Sequence, residues 1–279
     1  MKRLLVFILL VLAGCSDAVI PYYPPHLVIE GWIEAGRSPV VMVTTSVPVT
    51  DEKRDISSLE ENMVRWATVS VSDGENEVFL TGQYDKDYFP PYIYTSSWIT
   101  GEVGKTYRLK VKYSGRAVEA ETVIPAPHAL EYVRPEKISD ENYVISVGLK
   151  DNETTKDYYK SFVKVAGKDS VFRSAFLGLV DDAVLQDGIN DMQIFNGFAP
   201  SGLEKDVQMY FKEGEKVALR FCTLGQDAFQ YWTDFDDVAS LSRNPFFPVT
   251  KKIRSNIKGG LGYWAGYGSS YYVVECTTP

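Results

Sequence analysis

Histidine is almost missing from this chain. His26 and His128 are the whole supply, and neither has a partner at ligand spacing. A zinc site or a Ser-His-Asp triad therefore has no local signature. Cysteine is equally scarce, with Cys15, Cys222 and Cys276 alone. Basic residues run short too, 29 Lys and Arg against 37 Asp and Glu. An acidic body argues against nucleic acid, because phosphate neutralisation needs a basic face. There is no internal repeat and no low-complexity segment. After the first dozen residues, no apolar run approaches the roughly 20 residues of a membrane-spanning helix.

What is present begins at the amino terminus. Met1-Lys2-Arg3 forms a short cationic start, Leu4 to Val11 an apolar stretch, and Leu12-Ala13-Gly14-Cys15 follows. That layout is a signal peptide, its basic end held in the cytoplasm while the apolar stretch enters the translocon. Leu-Ala-Gly-Cys matches the bacterial lipobox, so residues 1–14 are expected to be removed and Cys15 to carry lipid. Several acyl chains would then hold the protein stably to a membrane. The plainer alternative is an ordinary secretory signal that leaves Cys15 as a spare thiol. Cleavage also removes Lys2 and Arg3, moving the formal net charge from −8 to −10. Residues 15–25, ending Pro21-Tyr22-Tyr23-Pro24-Pro25, read as a tether.

The body reads as mainly β. Between 26 and 127, short strands alternate with turns: His26 to Ile33, Val40 to Thr44, Ala67 to Ser72, Glu77 to Leu80, Tyr92 to Tyr94, Tyr107 to Lys112 and Ala117 to Val123. Asp73-Gly74 predicts a hairpin. About seven strands in roughly 100 residues is the pattern of an immunoglobulin-like sandwich. Ile124-Pro125-Ala126-Pro127 interrupts it, because proline cannot donate to a ladder, and a domain boundary is expected there.

Residues 128–279 predict a second β-rich domain. Its strands are Tyr143 to Leu149, Tyr158 to Val165, a hairpin of Val207 to Phe211 with Lys216 to Thr223, and a last strand from Tyr271 to Cys276. Helical spacing of Ala228, Phe229, Tyr231, Trp232, Phe235 and Val238 places an amphipathic helix near 225–242, with Thr223 and Gln226 as its capping box. Residues 172–205 carry no clear period.

No catalytic set emerges, and neither metal nor cofactor is expected. Gly259-Gly260-Leu261-Gly262 precedes aromatics and a strand rather than a helix, so a tight loop or bulge suits it better than a phosphate cradle. Asp234, Asp236 and Asp237 read as a solvated helix face, as do the pairs Asp181-Asp182 and Glu60-Glu61. Cys222 and Cys276 lie in strand-like runs, and in an oxidising envelope they would either pair or remain two buried thiols. The candidate recognition surface is aromatic: Tyr88, Phe89, Tyr92, Tyr94 and Trp98, with Tyr263, Trp264 and Tyr267 in the Gly-rich stretch. Packing of these same rings into the sandwich is the alternative.

Several segments, in order, resemble the domain-of-unknown-function 4249 (DUF4249) family of Bacteroidota lipoproteins. They are the lipobox, Leu27 to Ile33, Ala67 to Asp73, Gly104 to Leu109, Thr122-Val123-Ile124-Pro125, the helix with Phe229, Tyr231 and Trp232, and Asn256-Ile257-Lys258-Gly259-Gly260-Leu261-Gly262-Tyr263. The resemblance implies an outer-membrane address beside a TonB-dependent receptor and a non-enzymatic accessory role in nutrient uptake. Asp17 is a weak form of the acidic surface-export signal of such lipoproteins, so the leaflet stays open. Two other functions remain at this stage: an envelope hydrolase acting on glycan or peptide through second-half carboxylates, and a structural or adhesive surface protein.

Overall fold

The computed structural model describes residues 25–46, 60–150, 155–197, 208–241 and 251–277. Cys15 and nearly all of the tether lie outside them. The strands are β1 (Leu27–Glu34), β2 (Val40–Thr45), β3 (Thr68–Ser72), β4 (Glu77–Phe79), β5 (Thr81–Tyr84), β6 (Tyr92–Thr95), β7 (Thr106–Tyr113) and β8 (Arg116–Val123) in the first half. The second half has β9 (Tyr132–Lys137), β10 (Asn142–Lys150), β11 (Tyr158–Val165), β12 (Arg173–Asp181), β13 (Ile189–Ile194), β14 (Phe211–Lys212), β15 (Lys216–Leu224) and β16 (Leu261–Glu275). A short 3-10 turn spans Asp182–Val184, and the helix α1 spans Gln226–Leu241.

One eight-stranded sheet, ordered β12-β11-β15-β16-β1-β2-β6-β5, runs through both halves of the chain. Two four-stranded sheets cover one of its faces. The sheet β4-β3-β7-β8 closes a core of Ile29, Ile33, Val43, Val71, Leu109 and Trp264. The sheet built on β10 closes a second core of Ile145, Val147, Val163, Leu219 and Phe221. The first half is thus a sandwich, as its strand rhythm predicts. On the opposite face α1 lies against the strands, burying Ala228 and Trp232 with Phe162, Tyr263 and Tyr267.

Strand alternation assigns each residue to a face. In β1, Leu27, Ile29 and Ile33 enter the first core, while Glu30, Trp32 and Glu34 point to the helix side. In β16, Trp264 and Tyr272 face the cores, whereas Tyr263, Tyr267 and Tyr271 face α1 or its flank. Pro135 is tolerated because β9 pairs only with β10, at the border of its sheet.

The junction of the halves is a parallel pairing of β1 with β16, from Val28 beside Leu261 to Glu34 beside Tyr267. Pro125 and Ala126 cross over this sheet between the two cores. A Cβ on Gly268 would lie 2.4 Å from Pro125 O, and one on Gly266 would lie 2.3 Å from Val123 O. The boundary expected near 127 does not divide the structure cleanly: the halves share a sheet, and Ile257 and Trp264 of the second half lie in the first core.

Four readings need correction. The last strand begins at Leu261 rather than Tyr271 and takes in Gly262, Gly266 and Gly268 of the Gly-rich stretch, which admit neighbouring backbone instead of breaking the strand. The Phe211 segment pairs with Asn142 and Tyr143 of β10, not with β15, so Glu213-Gly214-Glu215 joins two different sheets. Thr223 stays in β15 and does not cap α1; Phe229 N–H already bonds Gly225 O, and the Thr223 hydroxyl finds no partner among the described residues. Residues 173–194, featureless in sequence, form β12 and β13.

Candidate functional site

The resemblance is most specific at Asn256 to Tyr263, and its role in the fold is legible. Pairing with β15 ends at Tyr267, which leaves the backbone edge at Trp264 open. The Asn256 side chain closes it, accepting from Trp264 N–H at 2.9 Å and donating to Trp264 O at 2.8 Å. The Trp264 ring is fully buried, and its indole N–H donates to Tyr107 O at 3.0 Å. Room for that ring comes from Gly31, where a Cβ would meet Trp264 at 3.0 Å. The segment thus docks the last strand onto the first. Gly259 and Gly262 adopt positive φ there; Gly259 lies in a tight turn before β16, and Gly262 pairs in register with Ile29 without a bulge.

Four of the aromatic candidates are consequently structural. Tyr94, Tyr263, Trp264 and Tyr267 are buried, and so cannot serve as an exposed recognition surface. The Tyr94 hydroxyl donates to Val64 O at 2.7 Å and accepts from Ala67 N–H. Tyr92 is half-buried, with its hydroxyl on Arg65 O. Tyr88 and Phe89 are half-buried, and Trp98 stands 88% exposed.

Sequence patterning alone missed the polar residues on the helix side of the sheet. Arg220 donates to Glu34 Oε1 at 2.7 Å, and the Tyr271 hydroxyl donates to Glu34 Oε2 at 2.5 Å. The guanidinium lies 4.2 Å from the Phe162 ring centroid and 5.1 Å from Phe172, so aromatic faces share the work of holding a buried cation. Arg220 Nε has no hydrogen-bond partner among the described residues. Nearby, Lys160 is fully buried and donates to Asp236 at 2.9 Å, with its ammonium 4.9 Å from Trp232. Burial lowers the Lys160 pKa while Asp236 works the other way. A single charge inside an otherwise apolar strand, as in Val217-Ala218-Leu219-Arg220-Phe221, is the signal that would have found both cations.

Glu30 is different. Solvent reaches it by area, yet Tyr263 donates to it at 3.3 Å and Tyr231 and Tyr267 lie within its electrostatic reach. Burial among these groups pushes its pKa from 4.5 up to about 7, against the opposing Tyr263 hydrogen bond. The carboxyl is open to water by area, and the crowding of Tyr263, Tyr231 and Tyr267 beside it gives the shift its direction. On the same side of β1, Trp32 is half-buried and its ring lies 6.2 Å from that of Tyr88. Tyr231 stands 4.3 Å from Tyr263, ring to ring.

This raised pKa sets the sign of a pH effect. Between about 4.5 and 7 the folded protein holds a proton that the unfolded chain has released. The Glu30 contribution to stability is therefore lost as pH rises through that window. Glu30→Gln is expected to flatten this decline and to be more stable than wild type at pH 8. Carboxyl carbon NMR would check the cause: a Glu30 midpoint at the ordinary 4.5 would remove this interpretation.

The acidic helix cluster is not a solvated face. Buried Asp234 holds Arg254 through Nε at 2.6 Å and Nη2 at 2.9 Å, and also accepts from Arg254 N–H. Lys251 bridges Asp234 and Asp237. These contacts fasten the segment leading into β16 to α1, and the Arg254 hydrogen bond comes first in holding the Asp234 pKa well below the usual carboxylate range. Asp182 is also buried, accepting from Asp157 N–H, while Asp181 caps the 3-10 turn. No group of three His, Cys, Asp or Glu that could hold a metal occurs among the described residues.

Cys222 and Cys276 are two buried free thiols, not a disulfide. Cys222 sits opposite Ser269 on the helix side, while Cys276 is seven residues further along and belongs to the second core. Seven strand residues span roughly 23 Å, far beyond the reach of a disulfide. Burial pushes the Cys222 thiol up to about 12 and the Cys276 thiol up to about 11, so neither is a ready nucleophile.

No curated protein matches the chain. The family described as Domain of unknown function (DUF4249) matches residues 16–272, which takes in every strand named above except the last three residues of β16. On that extent, the chain belongs to the DUF4249 family.

Proposed function

We propose that this protein is a lipid-anchored, non-enzymatic binding accessory of the outer membrane that works beside a TonB-dependent receptor in nutrient uptake. Its lipid is carried on Cys15, and its ligand or partner is taken on the aromatic face beside Glu30. The observation that carries the binding role is a division among the charges of the helix side. Arg220 and Lys160 are buried in internal pairs with Glu34 and Asp236, whereas Glu30 is exposed beside half-buried Trp32 and Tyr231. Fixed aromatic walls with one titratable acceptor suit recognition of a polar ligand by stacking and hydrogen bonding.

Support for the address comes from Leu12-Ala13-Gly14-Cys15 and from the family. A hydrolase would draw on second-half carboxylates, but Asp182, Asp234 and Asp236 are engaged in the contacts described, and no observation favours it. Affinity purification of the full chain from envelope membranes is expected to recover an outer-membrane receptor. In parallel, Cys15→Ser should move the protein to the soluble periplasmic fraction. Recovery of no outer-membrane protein, or a wild-type protein that is itself soluble, would contradict the proposal.

A further inference from the structure

The end of the first sandwich at which the chain enters carries exposed rings that the core does not use. Entry is pinned there: Arg116, at the β7–β8 turn, donates to Pro25 O, and His26 N–H donates to the Ser46 hydroxyl. Thr68 pairs with Lys112 beside that turn. Trp66 lies two residues further toward the same end and is 87% exposed. Tyr84 pairs with Tyr92, whose hydroxyl reaches Arg65 O, and is 68% exposed. Two large amphipathic side chains thus stand in water close to the entry point.

Charge is sorted along the same axis. At the entry end, Arg65, Lys112, Arg116 and Lys258 are exposed, with Glu61, Glu119 and Asp87 exposed at the same end and Glu119 bridged to Lys258 through the backbone. At the far end, the β3–β4 turn carries Asp73, Glu75 and Glu77, and Glu102 lies nearby, paired with Lys105. In a chain with 37 acidic and 29 basic residues, a cationic grouping runs against the average. Trp and Tyr are the side chains that settle at the headgroup level of a bilayer, and Lys and Arg are drawn to anionic lipid. Ten residues from Cys15 to Pro25 reach at most about 35 Å when fully extended. An acylated Cys15 would therefore hold this end within about 35 Å of the membrane.

We infer that this end of the sandwich is a membrane-contact surface, with Trp66 and Tyr84 seated among phospholipid headgroups and Arg65, Lys112 and Arg116 facing anionic lipid. It deepens the anchored reading and rests on acylation of Cys15. The surface gives the anchored body a fixed orientation.

Depth-dependent fluorescence quenching tests it. The mature lipoprotein would be reconstituted into phosphatidylethanolamine–phosphatidylglycerol vesicles containing phospholipid brominated near the headgroup. The expected result is quenching of one emission component that disappears in Trp66→Phe and persists in Trp98→Phe. Both rings are exposed, so both variants should fold, and the buried Trp264 serves as the internal folding reference. Mass spectrometry of the same preparation separates the two failures. An acylated protein whose Trp66 is not quenched overturns the contact surface alone. An unacylated amino terminus overturns the anchored reading and this inference with it.

Discussion

Replacing Arg220 by methionine is expected to cost about 3–5 kcal/mol of folding stability, the usual penalty for stranding one partner of a buried ion pair. The two side chains are 9% and 5% exposed. Glu34 would keep the Tyr271 hydroxyl but lose the cation that balances its charge. The magnitude comes from desolvation rather than from the attraction itself. The double variant Glu34→Leu with Arg220→Met should therefore regain most of the loss, because an apolar pair of similar volume is often neutral or better. Urea unfolding of wild type, both single variants and the double variant would decide it. Additive losses would show that the pair is not a coupled unit. The experiment also bears on Tyr88, which feels both Arg220 and Glu34.

Gly262→Ala is expected to be as damaging or worse, at about 4 kcal/mol or more, the exceptional end for one substitution. Gly262 has φ of +100°, and a Cβ there would fall 1.8 Å from Ile29 O. The obstacle is backbone of the paired strand, not the end of a flexible side chain, so β16 would have to separate from β1. Gly115→Ala supplies the control. That residue also has positive φ (+75°), but its Cβ would meet nothing within 4 Å. Backbone strain alone should then cost about 1–2 kcal/mol. Equal losses at the two positions would mean that the parallel junction is not held by close backbone approach. If the junction does open, Trp264 should become exposed, seen as a red shift of its emission.

The positions of several elements were readable from one sequence because they depend on local pattern. The strand Tyr158–Val165 and the helix near 225–242 appear as expected, since alternation and helical spacing are properties of neighbouring residues. The Asp73-Gly74 turn joins β3 to β4 for the same reason. The misread elements depended on distant partners. Phe211 looks like half of a hairpin until β10 claims it. Gly259 to Gly268 looks like a loop until Ile29, Val123 and Pro125 are found lying against those glycines.

Residue chemistry divides along the same line. From sequence alone follow the β-rich class, the acidic charge, the expectation of a lipid at Cys15 and the family. Each is written in composition or in contiguous motifs. Tertiary structure alone decided that Tyr94, Tyr263, Trp264 and Tyr267 are core, that Cys222 and Cys276 face different cores, and that Asp234 fastens a segment. It also brought Glu30, Glu34, Lys160 and Arg220 to one side of a shared sheet. The physical reason is that burial and pairing are set by contacts across the sheet; Glu34 and Arg220 are 186 residues apart in the chain. No local pattern records such a distance.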